Sequence, residues 1–167
     1  MDIIIKTLNN QDSQAIIDTI LPIQQVEFGV NITLDDQPDL LDIEEFYIAK
    51  GGNFWGASVE NKICGTIGLL RFSKNAGAIR KMFVKREYRG KEHGIASTLL
   101  ETLVKYCKVN GIKDIYLGTI GTMDAAIRFY GKKGFVRVDK KDLPADFPVM
   151  FTDDVFYHLT LQTDAIN

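Results

Sequence analysis

Residues 82–96 read MFVKREYRGKEHGIA: an apolar strand end, Met82, Phe83 and Val84, followed by a charged loop with glycines and then a long amphipathic helix. A junction of this kind can hold an anion. The first N–H groups of a helix have no partner inside it, and its dipole favours negative charge at that end. The amides of the loop from Arg89 through Gly90, His93, Gly94 and Ile95 to Ala96, with Ser97 next, would face the anion. Arg89 and Lys91 can add positive charge, although both also fit solvated loop cations. The anion expected is a pyrophosphate. Neither GxGxxG nor GxxxxGK[ST] follows the strand, so a nucleotide of a different kind is implied.

The elements around this junction can be read from periodicity. A strand at residues 3–8 precedes a helix capped by Asn10 or Asp12, whose apolar set is Ile16, Ile17, Ile20, Leu21 and Val26 and which Pro22 should kink or divide. A second helix starts at Asp35-Asp36-Gln37-Pro38, carries Leu40, Leu41, Ile43, Phe46 and Tyr47, and stops at Gly51-Gly52. Strands at 54–59 and 63–72 flank a turn at Glu60-Asn61-Lys62, and a third strand covers 78–84. The helix at 94–109 puts Ile95, Leu99, Leu100, Leu103, Val104 and Cys107 on one face and ends at Asn110-Gly111. A strand at 115–119, a short helix from Thr122 or Asp124 to Lys133, and strands at 135–138 and 155–161 complete the chain, with a long loop at 140–154. The order β-α-α-β-β-β-α-β-α-β-β predicts an α/β fold with a mostly antiparallel sheet.

A length of 167 residues suits one domain, residues 1–167, with 46% hydrophobic and 25% charged residues, the usual balance of a globular protein. A net charge of -2 speaks against a nucleic-acid binder, which carries a basic excess. Cys64 and Cys107 lie in apolar surroundings without metal-ligand spacing, so free buried thiols and no metal are expected. The first residues have no leader-like pattern and no segment reads as a membrane span, which makes a cytoplasmic protein without a membrane partner the expectation.

Two motifs carry a resemblance. Val84-Lys85-Arg86-Glu87-Tyr88-Arg89-Gly90-Lys91-Glu92-His93-Gly94-Ile95-Ala96, with Leu99-Leu100 after it, resembles the acyl-CoA-binding motif of the GNAT N-acetyltransferases. Ala126-Ile127-Arg128-Phe129-Tyr130-Gly131-Lys132-Lys133-Gly134-Phe135 resembles their second signature, at the family's spacing. The first motif departs from the usual R-G-x-G: aligned on Arg89 it is two residues longer, and aligned on Gly94 it puts Lys91 in the Arg/Gln place. The resemblance implies a sheet whose fourth and fifth strands splay apart around acetyl-CoA, the acyl donor.

It further implies acetyl transfer to a primary amine of a small molecule by direct attack. Backbone N–H groups near Phe83 and Val84 would polarise the thioester carbonyl. Tyr130 would protonate the leaving thiolate, although a core tyrosine beside Phe129 is the structural alternative. An Asn usual seven residues before this Tyr is Met123 here, so its cofactor contact is lost or falls to Thr119 or Thr122. For the base, Glu27 between Val26 and Phe28 is a candidate, since partial burial would raise its pKa, with Glu45 or water as alternatives. The acidic run from Asp35 to Glu45 fits either helix capping or attraction of a cationic amine. Other readings are acetylation of a protein N-terminus or lysine, and a non-catalytic acyl-CoA-binding regulatory module. A homodimer is left open.

Overall fold

The computed structural model describes residues 2–162. In chain order the regular elements are β1 (Ile3–Thr7), α1 (Ser13–Pro22), β2 (Asn53–Val59), β3 (Lys62–Arg71), β4 (Ala76–Val84), α2 (Ile95–Val109), β5 (Asp114–Thr119), α3 (Asp124–Lys132), β6 (Val136–Val138) and β7 (Val155–Thr160). The strands form a seven-stranded sheet in the order β1-β2-β3-β4-β5-β7-β6. Of the pairings described, β1–β2, β2–β3, β5–β7 and β6–β7 are antiparallel and β4–β5 is parallel. The mixed α/β, mostly antiparallel sheet expected from the element order is therefore present.

The chain resolves into two compact units: residues up to Leu70 with Arg80–Val104, and Arg71–Ile79 with residues from Lys105 on. In the first unit, Leu8, Ile16, Ile17, Ile20, Leu40, Ile43, Tyr47, Phe54 and Ile63 form one apolar core, with Phe83 packed against it. Burying one such side chain contributes roughly 1.5–3 kcal/mol. The β2–β3 hairpin turns on Glu60 (φ 51°) and Asn61 (φ 65°), both left-handed, which matches the right-handed twist of the strands it joins. In the second unit β4 and β5 pair through Ala76–Asp114, Gly77–Ile115 and Ala78–Tyr116. Phe72, Tyr116, Phe147 and Phe156 form a chain of ring contacts there, at centroid distances of 5.7 to 6.2 Å.

Three local expectations are corrected. Asp12 stands at the N-cap position of α1 but its side chain does not cap that helix; a 3-10 turn at Asn10–Asp12 precedes it and is capped by Asn9, whose side chain accepts the Gln11 N–H at 2.9 Å while Asp12 accepts the Asn9 N–H at 3.0 Å. Residues 34–48 do not form one helix. They make short turns at Leu34–Asp36, Pro38–Leu41 and Glu44–Ile48, because Gln37 (ψ 61°) and Asp42 (ψ 72°) leave the helical region. The acids there cap locally instead: Asp36 accepts the Thr33 N–H at 2.9 Å and Asp42 the Glu45 N–H at 3.2 Å. Finally, β4 begins at Ala76, two residues before the expected strand at 78–84, because its first residues pair with β5.

Candidate active site

The first unit contains the strand–loop–helix junction. Val84 ends β4 and is buried, and Lys85 N–H reaches back to the Cys64 carbonyl at 2.8 Å, fixing where the loop departs. Gly90 (φ 119°) and Gly94 (φ 63°) take left-handed backbone that other residues rarely adopt. Gly94 hands the chain to α2: its carbonyl accepts the Thr98 N–H at 2.9 Å and the Thr98 hydroxyl at 2.8 Å. The N–H groups of Ile95, Ala96 and Ser97 precede the first intrahelical bond, and these are the donors a diphosphate can use. Ile95 is buried and anchors the helix, while Lys91 is exposed beside these donors in sequence. A diphosphate therefore fits this junction.

The loop also departs from the expectation that all its amides face the anion. His93 and Gly94 N–H groups point at the Gly90 carbonyl, at 3.3 and 3.4 Å. The His93 ring is half-buried, 6.4 Å from the Tyr88 ring, with Nε2 3.9 Å from Glu92 Oε1. Glu92 keeps its carboxylate near Gly90 and is largely exposed.

Arg89 and Glu27 are corrected together. Both terminal nitrogens of the Arg89 guanidinium donate to the Glu27 carboxylate, and Nε donates to the Val84 carbonyl at 2.8 Å. The Phe28 ring lies 5.4 Å beneath the guanidinium carbon. Arg89 thus ties the loop to the turn that follows α1, and the loop cation left for an anion is Lys91. Glu27 was expected to have a raised pKa; instead its hydrogen bonds from Arg89 hold the carboxyl below its ordinary value, against the smaller effect of burial. A lowered pKa and a bidentate partner make it a poor proton acceptor.

The acidic run is largely occupied as well. Asp42 accepts from the Asn10 side chain at 3.0 Å and Glu44 from the Asn10 N–H at 3.1 Å, while Asp39 is buried and accepts the Tyr47 hydroxyl at 2.6 Å. Capping and core polar contacts account for these acids.

Tyr130 lies in the second unit, on α3. It is buried, with ring centroids 5.5, 5.4 and 6.4 Å from Phe129, Phe135 and Tyr157. Burial, and then the Asp153 carboxylate, push the phenol well above its ordinary pKa, so it holds its proton throughout the physiological range. Asp153 went unnoticed in the sequence. One of its carboxylate oxygens lies 2.4 Å from where a Cβ on Gly118 would stand, so a side chain at that point of β5 would have to displace the Asp153 carboxylate. The neighbouring Asp154 fixes this stretch: its N–H donates to the Thr119 carbonyl at 3.0 Å and its carboxylate accepts the Gly121 N–H at 2.7 Å. Thr119 is buried and its hydroxyl turns to the Met123 sulfur at 3.8 Å, whereas Thr122 is exposed. Among the described residues no cluster of metal-ligating side chains occurs.

The family model of the acetyltransferase (GNAT) family matches residues 17–135. Among solved structures, an acetyltransferase of the GNAT family from Staphylococcus aureus Mu50 is similar at a TM-score of 0.92 and 40% identity, covering 96% of this chain and 100% of that one. An acetyltransferase from Streptococcus agalactiae 2603 is similar at a TM-score of 0.91 and 26% identity, over 95% and 98% of the two chains. The "Probable N-acetyltransferase camello" of Xenopus laevis is 30% identical over 128 residues, 75% of this chain and 56% of that protein. The chain spans about half the length of the curated relatives it matches. With the two motifs, the sheet and the helix-terminal junction in agreement, the chain belongs to the acetyltransferase (GNAT) family.

Proposed function

We propose that this chain is an acetyl-CoA-dependent N-acetyltransferase that acylates a primary amine of a small molecule by direct attack. The carrying observation is the junction at Gly90–Ser97, where left-handed glycines feed the free first turn of α2 inside the family match. When bound, acetyl-CoA supplies an acyl group activated as a thioester. The amides of Ile95, Ala96 and Ser97, with Lys91, would hold the diphosphate. Backbone N–H groups near Phe83 and Val84 would serve the thioester carbonyl, a kind of contact worth about 2.7–4 kcal/mol in a transition state. Tyr130 keeps its proton and, in the role the resemblance gives it, would offer that proton to the departing sulfur. Glu27 is tied to Arg89, so the amine proton leaves through water or a carboxylate other than Glu27. The reading is tested by following CoA-thiol release from acetyl-CoA across amino acids, polyamines, aminoglycosides and arylamines. Amine-dependent release supports it, and release with protein lysines or N-termini alone replaces the small-molecule acceptor.

A further inference from the structure

Lys81 is the one charged side chain of the first unit that the site described above does not use and that is nonetheless buried in the middle of a strand. It is 8% exposed. Its backbone is left-handed, φ 54°, in the middle of β4, where an extended residue belongs. A side chain in that conformation is strained, and strain of this kind persists only where the surroundings over-determine it.

The surroundings of Lys81 do so. Its Nζ donates to Gln37 Oε1 and lies 3.7 Å from Asp39 Oδ1. Gln37, fully buried, exchanges two amide hydrogen bonds of 2.9 Å with Gln24 and donates to the Thr33 carbonyl at 3.2 Å. Asp39 takes the Tyr47 hydroxyl on its other oxygen, and the Thr66 hydroxyl donates to the Lys81 carbonyl at 2.7 Å. The ammonium, its counter-ion and the amides around it are thus mutually satisfied, which is what makes a buried charge tolerable. A glycine would take the same φ without strain. Lysine adds a tether from that point of the backbone to the turns at Leu34–Asp36 and Pro38–Leu41.

The residues after the tether are Met82, Phe83 and Val84. We infer that Lys81 is a positioning residue for acyl transfer: anchored by Gln37 and Asp39, it holds the left-handed step in β4 that aims the Phe83 and Val84 amides at the thioester carbonyl. This rests on the function proposed above. It adds a residue and a direction of action that the motifs do not contain, because Lys81 lies outside both motifs and its tether runs from β4 to the segment after α1.

The test is the isotope-edited infrared band of bound acetyl-CoA labelled with ¹³C at the thioester carbonyl, read together with kcat, acetyl-CoA affinity and melting temperature. The main variant is Lys81→Met with Asp39→Asn, which removes the ion pair without stranding a carboxylate. Lys81→Gly with Asp39→Asn is the second, since it permits the same φ and deletes the tether, again without stranding a carboxylate. In the wild type the carbonyl band shifts to lower frequency on binding. In the variants it returns toward the free position and kcat falls about tenfold or more, with acetyl-CoA affinity within twofold. A folded variant of either kind that keeps the wild-type shift and kcat overturns the inference. An unshifted wild-type band in the bound complex also overturns it. Failure of the wild type to bind acetyl-CoA at all removes instead the function on which it rests.

Discussion

Tyr130 and the Glu27–Arg89 pair show how burial and partners decide what a titratable group can do. The Tyr130 phenol sits among three aromatic rings, and its pKa is raised by burial and by Asp153. That raised pKa lies above the range of an ordinary thiol, so transfer of the proton to a free thiolate is uphill, and the acid role requires the hydroxyl to stand close to the sulfur while charge develops on it. Tyr130→Phe keeps the ring and its packing. It is expected to lower kcat by ~10²–10⁴ with acetyl-CoA affinity and melting temperature little changed. Steady-state and binding measurements check this, and a Phe variant above about a third of wild-type kcat removes the acid role. Glu27 follows the opposite sign. Its folded pKa is lowered, so its stabilising effect is present above the ordinary value of 4.5 and disappears as pH falls through the folded value. Glu27→Gln is expected to cost roughly 0.2–1 kcal/mol at neutral pH, as an exposed ion pair does. Melting curves of the two proteins should converge on acidification below 4.5. A gap that persists or widens in acid would assign the stabilisation to another contact. The role of Glu27 was not legible in the sequence because its partner is 62 residues away. Lys81 was hidden for a related reason: one charged letter in an apolar strand does not announce a left-handed backbone.

The loop and α2 were legible as elements. An apolar strand end, glycines at Gly90 and Gly94 and a clean amphipathic helix each obey local rules, and the residues that begin α2 lie where those rules put them. Gly94→Val tests the junction. No atom lies within 4 Å of the added Cβ, so the penalty comes from φ 63° and not from crowding. A left-handed, β-branched residue costs about 1–2 kcal/mol or more, and the first turn of α2 should shift to relieve it. Acetyl-CoA affinity is then expected to fall by about tenfold, the equivalent of 1.4 kcal/mol. Calorimetry showing wild-type affinity would take the diphosphate off this junction. The segment after α1 was less legible. Its apolar spacing reads as one helix, yet Asp36 and Asp42 satisfy nearby N–H groups with their side chains and break it into turns. Short acids compete with helical hydrogen bonds, and periodicity does not register that competition. The same capping explains most of the acidic run, so charge there is a weak guide to the acceptor.

At the scale of the molecule, the sheet order, the family match and the two similar bacterial structures agree on one fold. Alternating strands and helices with distinct periods made that architecture readable before any coordinates. The pairing of β4 with β5 through Ala76–Ala78 was not, because small residues there look like a turn. Binding to the folded state alone should raise the melting temperature by mass action, about 2.7 kcal/mol when free CoA reaches 100 times its Kd. A melting temperature indifferent to CoA would contradict specific binding. The most direct measurement is CoA-thiol release from acetyl-CoA by the purified chain, run with and without a panel of primary amines and with products identified by mass. The proposed function predicts release that depends on the amine and matches N-acetyl product one for one. Tight acetyl-CoA binding with no amine-dependent release across the panel would contradict it and leave an acyl-CoA-binding module in its place.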